Sequence, residues 1–148
     1  MILSAQSIRD RQPIEPFHER TVCNGMTFGL GPAGYDVRIA ENVELIPGGY
    51  SLASTIERFI MPDDLISFVH DKSTWARRFV TVQNTVMEPG WRGFLTLEIT
   101  NHSNESVTIK AGSPIAQIVF HMLDVATTQP YGGKYQDQEA GPQPARLV

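Results

Sequence analysis

The clearest regular signal along the chain is alternation. Residues 94–101 place Leu95, Leu97 and Ile99 on one face and Thr96, Glu98 and Thr100 on the other. That period of two marks a strand with one buried side. Residues 35–39 repeat it, with Tyr35, Val37 and Ile39 opposite Asp36 and Arg38. An acid and a base on one face suggest a charged pair, either exposed or buried between subunits. Apolar, β-branched runs at 50–61, 65–70, 79–86 and 115–123 read as further strands, with a short one at 107–110. Turn chemistry separates them at 46–49, 62–64, 88–93, 102–106 and 111–114. Residues 12–36 hold too much Pro and Gly for a long element. Only 3–11 and 71–78 suggest short helices, with Ser4 and Asp71 as N-caps. Many short strands and few helices predict an all-β barrel or sandwich.

From Tyr131 onward the sequence becomes polar and rich in Gly and Pro, which predicts a body over 1–130 and a mobile tail over 131–148. At 148 residues the chain is long enough for one domain with a substantial core. Its net charge of −4 argues against a general nucleic-acid partner. No apolar run reaches membrane-spanning length, and the first residues lack the apolar stretch of a secretory leader. The single cysteine, Cys23, excludes an intrachain disulfide and fits a cytoplasmic setting.

Candidate chemistry narrows quickly. His18, His70, His102 and His121 are scattered with no local ligand spacing, so a protein-held zinc is not expected. His121, in an apolar strand, reads as a core or interface histidine. No nucleophile elbow, Walker loop or dinucleotide fingerprint is present. The turn at 71–78 combines the hydroxyls of Ser73 and Thr74 with the charges of Lys72 and Arg77. Such a turn suits a polyphosphate. On composition alone a capped surface turn with solvated cations is the commoner outcome. Glu98 taken alone would be an acid on the solvent face of a sheet, and Glu88 an ordinary acid at a turn.

Several short stretches change this picture together. They are Met1-Ile2-Leu3-Ser4, Gly34-Tyr35-Asp36-Val37-Arg38, Lys72-Ser73-Thr74-Trp75-Ala76-Arg77, Glu88-Pro89-Gly90-Trp91-Arg92-Gly93, Leu97-Glu98-Ile99-Thr100-Asn101 and Gly133-Lys134-Tyr135-Gln136-Asp137-Gln138. In this order, and across nearly the whole chain, they resemble the dCTP deaminase branch of the trimeric dUTPase-like superfamily. The resemblance implies a distorted, jelly-roll-like β-barrel that assembles as a homotrimer with sites at the subunit interfaces. It implies zinc-independent hydrolytic deamination of dCTP to dUTP and ammonia, with Mg²⁺ arriving on the substrate triphosphate. The deoxycytidine or deoxyuridine nucleotide and the chain itself are then the expected partners.

By the same resemblance Glu98 is the catalytic acid, a group that plain dUTPases lack at this position. Ser73 and Arg77 serve the water, base and phosphates, and Glu88 stands where Asp is usual. Lys72, Thr74, Asn84, Trp91, Tyr131, Lys134, Tyr135 and Gln138 are the implied substrate contacts, the last four on a tail that closes over the triphosphate. Lys72 departs from a usual Arg, and Asn84 from a usual small residue. Three other outcomes stay open: a bifunctional enzyme forming dUMP and pyrophosphate, a dUTPase alone, and a non-catalytic nucleotide-binding barrel.

Overall fold

A computed structural model describes residues 1–83 and 85–148. In chain order the elements are α1 (Ala5–Arg11), β1 (Ile14–Glu15), β2 (Thr21–Cys23), β3 (Met26–Leu30), β4 (Tyr35–Arg38), β5 (Val43–Leu45), β6 (Tyr50–Ile60), β7 (Leu65–Asp71), α2 (Ser73–Ala76), β8 (Val80–Val82), β9 (Val86–Met87), β10 (Arg92–Asn101), β11 (Val107–Ile109) and β12 (Pro114–Met122). The strands form a six-stranded sheet in the order β2-β3-β4-β12-β7-β9, a four-stranded sheet β1-β6-β10-β8, and a β5–β11 pair. All paired strands run antiparallel. The result is the expected all-β distorted barrel, with two short helices among the described residues.

Alternation does the sorting of faces. Leu95, Leu97 and Ile99 of β10 turn into the core with Tyr35 and Val37 of β4, Ile118 and Phe120 of β12, and Phe59 of β6. Each buried aliphatic or aromatic side chain contributes roughly 1.5–3 kcal/mol of hydrophobic stabilisation. Thr96, Glu98 and Thr100 are left on the opposite face.

The sheets join where β6 departs from regular pairing. Phe94 pairs with Arg58 and Thr96 with Ser54, so β6 bulges between them. The Thr55 hydroxyl bridges the gap: it accepts from Leu95 N at 3.1 Å and donates to Glu57 O at 2.7 Å. Thr55 also pairs with Ile39, just beyond β4. Glu57, fully buried beside the bulge, accepts from Arg38 N at 2.9 Å and Arg38 Nε at 2.7 Å.

Four expectations need correction. Asp36 and Arg38 do not pair with each other; Lys72 Nζ lies 2.6 Å from Asp36 Oδ2, and Arg38 belongs to Glu57. Both partners come from the same chain, because β4 passes α2 on one side and the β6 bulge on the other. Asp71 is not the cap of α2. It ends β7, and its carboxylate accepts the Val82 N–H at 2.7 Å, while Lys72 stands at the N-cap. Ser4 is at the N-cap of α1 but makes no capping bond. Finally, 79–86 is not one strand: β8 pairs with β10 and β9 with β7. Asn84 lies outside the described residues.

Residues 12–34 are irregular for the most part, as their composition predicts. A short β2–β3 hairpin nevertheless forms, its two-residue turn made by Asn24 and Gly25 at φ of 50° and 76°. Asn-Gly suits this backbone because both residues tolerate positive φ.

Candidate functional site

A cavity of about 490 Å³ opens on the outer face of β10. Its walls are mainly apolar, from Leu52, Val86, Met87, Trp91 and Leu95, with Thr85, Thr96, Glu88 and Glu98 as the polar points. Tyr131, Tyr135, Gln138, Gln143, Pro144 and Ala145 close it from the C-terminal segment.

Glu98 stands directly across the β6–β10 ladder from Leu52. Its Oε2 is buried and has no hydrogen-bond partner among the described residues. Loss of solvent raises its pKa above the ordinary 4.5, and only a contact with its own backbone opposes this. An isolated, half-buried carboxyl in a cavity holds its proton more tightly than a solvated one and is suited to acid–base work. The sheet-face alternation at 94–101 therefore places Glu98 correctly, but its surroundings are not open solvent.

The turn at 88–93 seats the C-terminal segment. Gly93 has φ 148°, and a Cβ there would lie 2.7 Å from Gln138 N and 2.9 Å from Gln138 O. Only glycine lets the segment approach so closely. Phe94 N donates to Gln138 O at 2.9 Å, and Gly93 pairs with Gln138 in a parallel bridge. The Gln138 amide donates to Phe94 O at 2.8 Å and Thr96 Oγ1 at 3.1 Å. Trp91 Nε1 donates to Tyr135 O at 2.7 Å, and Tyr135 N to Tyr131 Oη at 3.2 Å. Further on, Gln143 N donates to Thr96 Oγ1 at 3.1 Å. The segment thus closes the cavity through residues between Tyr131 and Ala145.

Of the residues singled out from sequence, Glu88, Trp91, Glu98, Tyr131, Tyr135 and Gln138 come together around the cavity. Lys134 is next to Tyr135, its Nζ 5.3 Å from that ring. Lys72, Ser73, Thr74 and Arg77 do not line it. Ser73, Thr74 and Arg77 are exposed, and no hydrogen bond or ion pair engages their side chains among the described residues. Lys72 is buried and tied to Asp36, which fastens the start of α2 to β4. Sequence reasoning missed Leu52, whose place opposite Glu98 depends on long-range register, and Gln143, Pro144 and Ala145, which composition assigned to a mobile tail. Thr96 was legible: it shares the face of Glu98. Among the described residues no three His, Cys, Asp or Glu side chains gather as a ligand set.

Comparison with known proteins bears directly on this arrangement. Residues 33–123 match the model of a family described as dCTP deaminase-like. The chain belongs to the dCTP deaminase-like family. A dCTP deaminase of Thermococcus sibiricus is 35% identical over 154 residues, covering 94% of each chain. A dUMP-forming dCTP deaminase of Methanoculleus marisnigri is 34% identical over 132 residues, covering 85% of this chain and 65% of the relative. The 2′-deoxycytidine 5′-triphosphate deaminase structure from Agrobacterium tumefaciens superposes with a TM-score of 0.67 at 17% identity, over 82% of this chain and 47% of that one. An EIAV dUTPase structure superposes with a TM-score of 0.57 at 18% identity, over 69% of this chain and 85% of that one, and the two likenesses together establish the shared dUTPase-like fold. The matched family region spans β4 to β12 and so includes α2, the turn at 88–93 and Glu98.

Proposed function

We propose that the chain converts dCTP and water to dUTP and ammonia. The observation that carries this is the buried, unpartnered Oε2 of Glu98 in a cavity large enough for a nucleoside. Two relatives named as dCTP deaminases support the substrate.

The chemistry follows from what one such carboxyl can do. Glu98 as carboxylate takes a proton from water as the oxygen adds to C4 of the cytosine ring. The proton passes to the ring nitrogen N3, giving a tetrahedral adduct. The carboxylate then takes the proton of the new C4 hydroxyl and hands it to N4; the C4–N4 bond breaks as the C4 carbonyl forms, N3 keeps its proton, and ammonia leaves. The apolar walls supplied by Leu52, Met87 and Trp91 exclude bulk water and hold the carboxyl pKa up. Trp91 and Tyr131 flank the sugar and base. Lys134, Tyr135 and Gln138 close over the triphosphate, which brings its own Mg²⁺ as part of the substrate, with Glu88 the exposed carboxylate at the rim.

Ser73, Thr74 and Arg77 do not line the cavity of their own chain, which supports a site completed by a neighbour. In a homotrimer, α2 of one subunit would face the cavity of the next. Ser73 would then orient the water, and Arg77 would offset developing negative charge. Lys72, held by Asp36, would fix α2 rather than touch substrate. A cytoplasmic setting suits this role in deoxynucleotide supply. Among the described residues no helix is long and apolar enough to cross a membrane.

A second reading has a specific observation in its favour. Glu88 reaches the same cavity, and the Methanoculleus relative is dUMP-forming. Glu88 would then activate a second water against the triphosphate, releasing dUMP and pyrophosphate. Incubation with dCTP and Mg²⁺, followed by chromatography, separates the outcomes. dUTP with ammonia supports deamination, and dUMP with pyrophosphate supports the bifunctional version. Unchanged dCTP beside hydrolysed dUTP would eliminate both in favour of a dUTPase.

A further inference from the structure

Beyond the residues already placed, the C-terminal segment carries a second cation beside Tyr135, next in sequence to the cavity residue Ala145. Arg146 N donates to the Tyr135 hydroxyl at 2.9 Å. Its guanidinium donates to Lys134 O and to Gln143 Oε1, both at 3.1 Å. Lys134 Nζ in turn donates to Arg146 O. Both cations flank one aromatic ring: Lys134 Nζ is 5.3 Å and Arg146 Cζ 5.9 Å from the centre of Tyr135. Tyr135 is itself a wall of the cavity that holds Glu98.

Two like charges drawn together in this way repel each other, and a neighbouring acid would offset the repulsion. Arg38, Lys72 and Arg92 are balanced in this way, by Glu57, Asp36 and Asp137, whereas Arg20, Arg77, Arg78 and Lys110 carry no ion pair among the described residues. Among the described residues neither Lys134 nor Arg146 has a carboxylate within ion-pair reach. The backbone contacts that hold them are numerous, so the juxtaposition is built by the fold of the segment. An anion is the group that would relieve it. A guanidinium offers paired N–H donors matched to phosphate oxygens, whereas an ammonium offers a point charge.

We infer that Arg146 is a polyphosphate-binding residue, acting with Lys134 on the triphosphate of the nucleotide whose base lies by Glu98. This rests on the dCTP reading above and extends it to a residue beyond the motifs that carry the family resemblance. The two contacts from Arg146 to Lys134 O and Gln143 Oε1 are exposed and exchangeable. The guanidinium can therefore turn to a phosphate while Arg146 N stays anchored on Tyr135.

The test compares the unaltered protein with Arg146→Ala and Arg146→Lys in three measurements: KM and kcat for Mg²⁺–dCTP, inhibition by inorganic tripolyphosphate, and inhibition by deoxycytidine. For Arg146→Ala the KM for dCTP should rise about tenfold, with a smaller change in kcat, as expected for loss of a charge-assisted contact. Tripolyphosphate inhibition should weaken by a similar factor, and deoxycytidine inhibition should hold. Arg146→Lys should recover part of the loss. Unchanged tripolyphosphate inhibition overturns the inference. So does equal weakening of all three ligands, which would make Arg146 a fastener of the tail. If the unaltered protein does not turn over dCTP, the deaminase reading fails separately. Direct calorimetric binding of tripolyphosphate to the unaltered protein and to Arg146→Ala then still decides for or against the anion site.

Discussion

Glu98 faces Leu52 across the β6–β10 ladder, so the acid has an aliphatic neighbour where an exposed sheet would usually offer a polar one. Leu52 and Glu98 line the same cavity. Leu52, together with the C-terminal residues that close the cavity, keeps water from the carboxyl although it lies on the outward face of β10.

The first prediction concerns turnover. Glu98→Gln keeps the shape of the side chain and removes its capacity to exchange protons. Ammonia release from dCTP should fall by at least about a thousandfold, in the range expected when a sole acid–base group is lost. Nucleotide affinity measured by calorimetry should change little. Deamination by the Glu98→Gln protein at the original rate would remove Glu98 from the mechanism.

The second concerns pH. The folded-state pKa of Glu98 lies above its ordinary 4.5 because burial disfavours the charge. Between those two values the folded chain binds more protons than the unfolded chain. Stability from this group therefore falls as pH rises through that window, and the deficit persists above it. Glu98→Gln should melt at a higher temperature than the unaltered protein near about pH 8, with the difference closing as pH is lowered toward about 4. Thermal melts across that series check the sign. A constant difference at every pH would mean that ionisation is not responsible.

The third concerns the joint between the sheets. Glu57 is fully buried and makes two bonds to Arg38. Glu57→Ala strands the Arg38 guanidinium and its backbone N–H, and should destabilise the fold by about 3–5 kcal/mol. Chemical denaturation gives the number. A loss below about 1 kcal/mol would indicate that the pair is readily replaced by water.

The fourth concerns seating of the C-terminal segment. Gly93→Ala introduces a Cβ in collision with the backbone of Gln138, at a φ that L-residues rarely adopt. Amide exchange at 136–138 should accelerate strongly, while the amides of β12 stay protected. The KM for dCTP should rise in parallel. Unaltered exchange would show that the segment docks by other contacts.

The barrel was legible because alternation is local. Leu95, Leu97 and Ile99 announce their face without knowledge of the partner strand. The site was legible only in part. The short motifs point to Glu98, Trp91 and Gln138, and the fold gathers them because β10 and the turn before it carry both the acid and the seat for the tail. Leu52 carries no such mark, since its role depends on a β6 register set by the bulge at Thr55. The pairing of Asp36 and Arg38 failed for a related reason: shared-face periodicity gives proximity, but a closer acid and base arrive from elsewhere. Asn24-Gly25 was a readable hairpin inside a stretch whose composition suggested irregular chain. The segment over 139–146 has no periodicity, and two of the bonds that seat it, from Gln143 N to Thr96 and from Arg146 N to Tyr135, are made by backbone amides that any sequence possesses.

The separation of α2 from the cavity has a genetic corollary. In the proposed trimer, a chain crippled at position 77 keeps a sound cavity, and one crippled at position 98 keeps a sound helix. Neither would work alone, yet co-expression of the two would shuffle protomers and rebuild some intact junctions. Two dead alleles could then complement one another inside a single particle.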